Sequence, residues 1–238
     1  MHCRIYLNVE LAAQTLVQIE AEQARYLRQV MRLQAGDPIT VFNGSGGEYQ
    51  AELTFLAKDG GECRLADLDA VNRELPCGVH IIQAANKSEK IETVLQKATE
   101  LGASSFQIVN SERSTLKLPD NKREKRLLRW QKIVVEAAEQ SERTAVPSVA
   151  WLTKLDQVQT QGAAFALHPR DAQTWATCRE HIQGFNDITL AIGPEGGWTT
   201  QDLQCLHHKG FATLTFGARV MRTETAAAAL LAAIQAVV

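Results

Sequence analysis

Two glycine-containing phrases in the last third of the chain each follow an apolar run that is typical of a β-strand. The first phrase spans residues 192–198 (IGPEGGW) and closes the run 188–192, and the second spans residues 216–226 (FGARVMRTETA) and closes the run 212–216. Each phrase opens into a helical pattern. Glycines at such strand-to-helix turns let backbone N–H and C=O groups approach a ligand closely. Two such turns from one sheet predict a cofactor held between them.

Strand-like and helix-like patterns alternate from residue 79 onwards. The predicted strands are the apolar runs 79–84, 105–109, 163–167, 188–192 and 212–216. Helical patterns lie between and after them, including 88–101, which ends before Gly102, and the long amphipathic run 121–140. This alternation predicts an α/β fold with a mainly parallel sheet.

The first 70 or so residues have a different pattern, which is mostly β. Short apolar runs are separated by residues 43–47 (NGSGG) and 58–61 (KDGG), and both spacers have the chemistry of hairpin turns. One helix is predicted over residues 20–33, and residues 72–76 have the composition of a linker. The sequence therefore predicts a small β-barrel-like domain over residues 1–72 and an α/β domain over residues 73–238.

The basic residues are concentrated in one stretch, although the formal net charge of the chain is only -2. Residues 113–132 contain eight Lys or Arg residues against two acidic ones. Such a patch attracts a polyanion even when the total charge is acidic. A solvated helix face with Glu–Lys pairs has the same composition, so the charges alone leave both interpretations open.

Several other kinds of site do not fit the pattern. The turn after the first predicted α/β strand reads AANKS, so it lacks the dinucleotide-binding G-x-G-x-x-G, and no P-loop string occurs. Cys205, His207 and His208 do not converge on one helical face, and the five cysteines form no CxxC pair. We therefore expect no metal site and a reducing, cytoplasmic location. The start has no signal-peptide pattern and the apolar run 226–238 is too short to span a bilayer, so we expect no membrane partner.

Over essentially its whole length, and in order, the chain resembles the 16S rRNA (uracil-N3)-methyltransferase family. This family lies within the SPOUT class of trefoil-knotted, S-adenosylmethionine-dependent methyltransferases. The two glycine phrases are the most specific part of the resemblance. Further similarity lies at residues 30–32, 36–37, 87–92, 96–102, 111–114, 129–133 and 136–141. Tyr26 stands where the family often carries His, and Glu142 stands where Gly is common.

The resemblance implies an N-terminal PUA-like β-barrel that binds RNA, over residues 1–72. It implies a C-terminal knotted α/β methyltransferase domain over residues 73–238, which forms a homodimer partly through the helix at 225–238. Three strand ends would form the walls of a bent S-adenosylmethionine site, which needs no divalent metal. The residues that the resemblance assigns to this cofactor are Leu167, His168, Pro169, Ile192, Gly193, Pro194, Gly196, Gly197, Phe216, Gly217, Val220, Met221, Thr225 and Ala226.

The implied reaction is methyl transfer to N3 of a specific uridine in 16S rRNA of the small ribosomal subunit. N3 lies on the pairing edge of the base, so the base must be unpaired or turned out of its stack. Attack through N3 requires loss of its proton, and negative charge then builds on the flanking carbonyls. We expect Arg222 to stabilise that charge, and Glu195 or Glu224 to take the proton. Structural roles for the two carboxylates, in holding a turn or a helix start, stay open.

Six basic residues are expected to bind rRNA phosphates, namely Arg28, Arg32, Lys87, Lys90, Arg113 and Lys117. Arg28 and Arg32 lie four apart on the predicted N-terminal helix, which would place them on one face. Two alternatives stay open. One is a ribose 2′-O-methyltransferase of the same class, which also has a Gly-Glu-Gly-containing turn. The other is a non-catalytic RNA-binding module whose C-terminal pocket is vestigial.

Overall fold

The structure, a computed structural model, describes residues 3–170 and 172–238. The chain divides into two units. The first unit holds the chain up to Glu74 together with Ala138–Val146, and the second holds Leu75–Ala137 together with Pro147–Val238. The assignment of separate functions to residues 1–72 and 73–238 stays a prediction.

A five-stranded sheet and one helix form the first unit. Its elements are β1 (Arg4–Tyr6), β2 (Leu16–Ile19), α1 (Ala21–Gln29), β3 (Pro38–Phe42), β4 (Glu48–Leu56) and β5 (Gly61–Asp69). The strand order is β1-β3-β4-β5-β2, with β1 parallel to β3 and the other pairs antiparallel. Both predicted hairpins are confirmed, since β3 pairs with β4 and β4 with β5 across the glycine-rich turns. The core of this unit includes Leu27, Ile39, Leu53, Cys63 and Leu65.

Helix α1 ends at Gln29, whereas the sequence predicts that it ends at residue 33. Arg32 follows with a left-handed φ of 58°, and the Leu33 N–H donates to the Leu27 carbonyl at 3.0 Å. The prediction that Arg28 and Arg32 share one helical face is therefore wrong, because the helical spacing stops before Arg32. Both arginines are exposed, and their contact with RNA stays a prediction.

Glu48, at the start of β4, is buried between two arginines. Its Oε2 lies 3.0 Å from Arg4 Nη2 and 2.9 Å from Arg73 Nη1. The Arg4 guanidinium also stacks over the Phe42 ring at 3.7 Å and donates to the Ala138 carbonyl at 3.3 Å. Burial raises the pKa of the Glu48 carboxyl, but the hydrogen bonds from Arg73 and Arg4 outweigh it, so this pKa lies below its ordinary value. The cluster ties the segment around Ala138 to the first sheet.

The turn at Glu142 explains why a glycine suits this position. Glu142 has a φ of 59°, in the left-handed region that favours glycine. Its carbonyl accepts a hydrogen bond from Arg73 Nη1 at 3.1 Å. The next residue, Arg143, is buried and donates from Nε to Glu74 Oε2 at 2.9 Å, while Glu74 Oε1 accepts the Thr144 N–H at 3.2 Å. Polar contacts on both sides of Glu142 thus hold the turn that it makes without glycine.

The second unit is built on a seven-stranded sheet. Its elements are β6 (Gly78–Ala84), α2 (Ser88–Glu100), β7 (Ser105–Val109), α3 (Asp120–Gln140), β8 (Ser148–Leu152), β9 (Ala163–Leu167), β10 (Gln173–Thr174), α4 (Trp175–Ile182), β11 (Asp187–Ile192), α5 (Thr200–His208), β12 (Ala212–Thr215) and α6 (Thr223–Gln235). The last three residues of α3 belong to the first unit. None of the helices in the described part of the chain has both the length and the apolarity that crossing a bilayer requires.

All strand pairs of the second sheet are parallel, in the order β10-β12-β9-β11-β6-β7-β8. The predicted parallel sheet is therefore confirmed, together with the five strands that the apolar runs indicated. The sequence did not predict β8 and β10. Helix α2 buries Ile91, Val94, Leu95 and Ala98 at helical spacing and packs against α6.

Replacing Glu48 tests the buried ion cluster. We expect Glu48→Gln to lower the free energy of unfolding by about 3–5 kcal/mol at pH 7, because it leaves the largely buried Arg4 without its carboxylate. Urea unfolding followed by circular dichroism measures this. Glu52→Gln, an exposed change on the same strand, is the matched control. Equal midpoints for the two variants would contradict the expectation.

The same cluster predicts a pH dependence. The pKa of Glu48 is lowered in the folded state. Its contribution to stability is therefore complete above the unfolded glutamate pKa of about 4.3 and is lost as the pH falls through the lower folded value. The difference in stability between the native protein and Glu48→Gln should accordingly narrow below about pH 4.

Candidate functional site

The carboxyl ends of four neighbouring parallel strands lie side by side at one edge of the second sheet. These strands are β6, β11, β9 and β12. Gln83 of β6 lies opposite Ile192 of β11, and Leu167 of β9 lies opposite Leu214 of β12. Ligands of parallel α/β sheets bind in the crevice beyond such ends. The three predicted wall positions, Leu167, Ile192 and Phe216, therefore come to one edge.

The first glycine turn, residues 193–197, joins β11 to α5. Gly197 has a left-handed φ of 70°. A side chain on Gly193 would meet the Trp198 ring at 3.3 Å, so the buried indole packs directly against this glycine. Thr199 and Asp202 then start α5 with a capping box, in which each side chain accepts the backbone N–H of the other at 3.1 Å. The turn is thus fixed on the helix side and open on the other.

The second glycine turn, residues 216–222, joins β12 to α6. Gly217 has a φ of 74°, and a Cβ there would meet no atom within 4 Å. Val220 is 79% exposed, which is unusual for a valine beside a sheet edge. Phe216 packs edge-on against the Trp175 ring, with the ring centroids 5.6 Å apart. This turn therefore presents open backbone and an apolar side chain next to an aromatic pair.

Helix α6 begins at the same edge and is linked to the end of β6. The Arg222 carbonyl accepts the N–H groups of Thr225 and Ala226 at 3.0 and 3.1 Å. The Thr223 hydroxyl accepts a hydrogen bond from Asn86 Nδ2 at 2.7 Å. Asn86 is buried, and its Oδ1 has no hydrogen-bond partner among the residues that the structure describes. The positive end of the helix dipole thus lies at the strand ends.

The loop after β7 reaches the first glycine turn. Arg113 Nη1 donates to the Gly196 carbonyl at 2.7 Å, and a Cβ on Gly196 would lie 3.1 Å from Arg113 Cδ. The Thr115 N–H donates to the Ala85 carbonyl at 3.2 Å. Lys117 of the same loop lines a neighbouring cavity of about 390 Å³. Arg113 therefore supports the turn, while much of this exposed residue still faces solvent.

Lys90 connects the two predicted catalytic carboxylates. Its Nζ lies 2.7 Å from Glu195 Oε1 and 3.5 Å from Glu224 Oε2. The hydrogen bond to Glu195 raises the pKa of Lys90. In turn, the hydrogen bond and charge of Lys90, with smaller contributions from Lys87 and Arg222, lower the pKa of Glu195. Both groups are therefore ionised around neutral pH.

The structure brings the assigned catalytic residues to one edge of the second sheet. The basic residues assigned to RNA are divided between the two units. Lys87 and Lys117 are exposed near this edge, whereas Arg28 and Arg32 belong to the first unit. All of these roles stay predictions. Sequence reasoning missed the ion pairs of Lys90 and the positions of Asn86 and Trp175. Asn86 and Lys90 follow a strand end, as the glycine phrases do, and that position was the available signal. Across residues 3–170 and 172–238, no group of three or more His, Cys, Asp or Glu side chains is arranged to hold a metal ion.

Comparison with known proteins identifies two domain families. The RNA methyltransferase domain matches residues 73–235, and the RNA methyltransferase PUA domain matches residues 19–66. The chain is 35% identical to ribosomal RNA small subunit methyltransferase E of Synechocystis, over 99% of this chain and 78% of that protein. It is 33% identical to the Bacillus subtilis protein of the same name, over 91% of this chain and 88% of that one.

Two solved structures share the fold over nearly the whole chain. One is a methyltransferase from Legionella pneumophila in complex with the bound cofactor SAM, with a TM-score of 0.91 and 33% identity. The other is ribosomal RNA small subunit methyltransferase E from Neisseria gonorrhoeae bound to S-adenosyl methionine, with a TM-score of 0.90 and 33% identity. In both cases 99% of this chain and 98% of the other are covered. The predicted fold class, a SPOUT-type α/β domain preceded by a PUA-like domain, is confirmed.

Proposed function

We propose that this chain, which belongs to the ribosomal RNA small subunit methyltransferase E family, transfers a methyl group from S-adenosylmethionine to N3 of one uridine in 16S rRNA. The observation that carries the proposal is that both glycine turns open at the same sheet edge, at the ends of the two strands that flank β9. Arg222, Glu195 and Glu224 come to the same edge with those turns. A pair of turns that served packing alone would not need this concentration of charge.

The strand ends fit S-adenosylmethionine. At Gly197 and Gly217, a Cβ would meet no atom within 4 Å, so both turns leave open space beside their backbone N–H and C=O groups. Such groups recognise adenine and ribose, and the apolar wall residues would pack on the rings. When bound, the cofactor supplies a methyl group on a positively charged sulfur, which is an activated leaving group without a metal. The residues proposed to bind it are Leu167, His168, Pro169, Ile192, Gly193, Pro194, Gly196, Gly197, Phe216, Gly217, Val220, Met221, Thr225 and Ala226.

The protein has three tasks at uracil N3. It must hold the base out of its stack, remove the N3 proton, and stabilise the charge that then builds on the two carbonyls. Arg222 is exposed at the start of α6, where its guanidinium is available to those carbonyls. Glu195 and Glu224 are the two candidate proton acceptors. Arg222 is close enough to Glu195 to lower the pKa of that carboxyl, although Lys90 contributes most of this effect.

Phosphate contacts from both units would bind the rRNA. We assign residues 1–72 as the RNA-binding domain and residues 73–238 as the methyltransferase domain. Exposed basic side chains give affinity that depends on salt and little on sequence. Specificity then comes from the shape of the rRNA and from the presented base. The six residues assigned to this contact are Arg28, Arg32, Lys87, Lys90, Arg113 and Lys117.

We also assign a homodimer, with α6 in its interface. Helix α6 carries small side chains on its less buried side, including Ala228, Ala229, Ala232 and Ala233. Small residues allow another helix to approach closely. A ribosomal substrate implies a cytoplasmic location.

The proposal is tested by methyl transfer to small ribosomal subunits that lack the modification, with naked 16S rRNA for comparison. We expect tritium from labelled S-adenosylmethionine in 16S rRNA, and mass spectrometry of the digested RNA should place the methyl group on uracil N3. A methyl group on a ribose 2′-oxygen would instead indicate the ribose enzyme. Absence of heat on calorimetric titration with S-adenosylmethionine, at high protein concentration, would favour the non-catalytic RNA-binding module.

Replacing Arg222 separates catalysis from cofactor binding. Arg222→Ala should slow methyl transfer by about 10²–10³-fold, the usual loss for one donor to a developing oxyanion. The dissociation constant of S-adenosylhomocysteine, measured by calorimetry, should change by no more than a few-fold. Arg219→Ala, in the same turn and also exposed, is the matched control. Collapse of cofactor binding in Arg222→Ala would show that Arg222 belongs to the pocket and not to the reaction.

Replacing Arg28 and Arg32 together tests the RNA-binding assignment of the first unit. The double alanine variant should bind the small subunit more weakly, and the slope of log K against log salt should flatten by about one for each phosphate that is no longer neutralised. Filter binding at several salt concentrations measures the slope. Lys58→Ala with Arg64→Ala removes the same charge from exposed positions elsewhere in this unit. An unchanged slope in the first variant would remove both arginines from the RNA-binding surface.

A further inference from the structure

Lys90, in the first turn of α2, joins three elements around the sheet edge. Its ammonium contacts Glu195, which follows β11, and Glu224, which lies in the first turn of α6. The side chain of Lys90 is 23% exposed, so the contact lies at the boundary between protein and solvent. The position of each carboxylate therefore depends on the same cation.

The two carboxylates differ in their surroundings. Glu195 is 41% exposed, and its Oε1 is taken up by the 2.7 Å contact with Lys90. Glu224 is 19% exposed, and its Oε2 is buried and accepts no hydrogen bond from any residue in the described ranges, although Lys90 lies 3.5 Å away. A buried carboxylate oxygen that lacks a donor is poorly solvated and will accept one from a ligand. Glu224 therefore offers a buried acceptor oxygen without a hydrogen bond, whereas Glu195 holds its Oε1 against Lys90 at the more exposed side of the contact.

We propose, building on the function proposed above, that Glu224 is the catalytic residue that takes the proton from uracil N3. Lys90 is then the positioning residue, which holds Glu224 at the strand ends and engages Glu195 in an ion pair. In the step, the N3–H bond breaks and its proton passes to Glu224 Oε2, while the N3 electron pair forms a bond to the methyl carbon. The electron pair of the carbon–sulfur bond returns to sulfur, which becomes a neutral thioether. Water then takes the proton from Glu224 and restores the carboxylate.

The role of Lys90 can be measured, because its removal changes the balance of charge around Glu224. Lys90 approaches from α2, Glu195 from the first glycine turn, and Arg222 from the residue that caps α6. Lys87, which precedes α2, adds a more distant positive charge that acts on Glu195. Removal of the Lys90 ammonium leaves Glu224 beside Glu195 with less positive charge. Methyl transfer should then be lost at a higher pH on the acid side, because nearby positive charge favours the carboxylate form of a general base.

The kinetic experiment compares matched isosteric variants of the full-length protein. Single-turnover methyl transfer is measured on small subunits lacking the modification, at saturating concentrations of both substrates, from about pH 5 to pH 9.5. Glu224→Gln should slow transfer by about 10²–10⁴-fold, the range for loss of a general base. Its residual rate should rise with alkaline pH, because N3 then ionises without help from the enzyme. Glu195→Gln should stay within about tenfold of the native rate, as expected when only a positioning interaction is removed.

Lys90 variants distinguish positioning from a general loss of structure. Lys90→Met should move the acid limb of the pH profile to higher pH, and Lys90→Arg should restore it. The cofactor-free protein supplies an independent readout. With ¹³C-labelled glutamate, the carboxyl resonance that disappears in Glu224→Gln should change its chemical shift in Lys90→Met, because the ammonium 3.5 Å away is gone. Circular dichroism and S-adenosylhomocysteine binding check that each variant is folded.

Two results would overturn the inference. The first is a reversed order, with Glu195→Gln slow and Glu224→Gln close to the native rate. The second is a Lys90→Met profile that falls equally at every pH, with the Glu224 resonance unmoved. Either result would leave the proposed function intact if the native protein still methylates uracil N3. Failure of the native protein to methylate any rRNA would instead remove the proposed function, and the carboxyl resonance would still report on the Lys90 contact.

Discussion

Strand β9 forms parallel ladders with both β11 and β12, and the arrangement of the site depends on this double pairing. β12 comes after β11 in the chain but lies on the opposite side of β9. The chain must therefore cross from one side of β9 to the other between the two glycine turns. As a result, two turns that are separated by about 20 residues in sequence open at the same sheet edge. The two glycine turns would not open at the same sheet edge if β12 paired elsewhere.

Electrostatic contacts also hold together the elements that meet at this sheet edge. The ammonium of Lys90 ties α2 to the first glycine turn and to α6, and the guanidinium of Arg113 ties the loop after β7 to the same turn. Each contact joins elements that are far apart in sequence. A ligand between the turns would therefore meet groups already held in place, which reduces the entropy lost on ordering them.

The strands that position the site could be predicted from the sequence, because buried parallel strands leave long apolar runs. The run 188–192 and its glycine phrase led directly to β11 and its turn. Two strands had weaker signals: β8 carries an exposed serine and alternating burial, and β10 has only two residues. Helix α1 ends earlier than predicted because Arg32 adopts a left-handed conformation. A residue other than glycine gives little sign of that conformation in the sequence. The ion pairs of Lys90 could not be predicted, since sequence alone does not show which carboxylates will lie within 4 Å of an amine.

The balance of charge at the sheet edge suits both reactants. Two carboxylates, Glu195 and Glu224, lie close to two cations, Lys90 and Arg222, so these four groups balance in charge before any ligand binds. A positively charged sulfur is then not repelled, as it would be in a uniformly basic pocket. The exposed Lys87, Arg113 and Lys117 lie on neighbouring segments and remain available to phosphates. A proton moved from N3 to Glu224 would leave Lys90 and Arg222 in local excess at the moment when the base becomes negative, and that excess is the electrostatic stabilisation that the reaction requires.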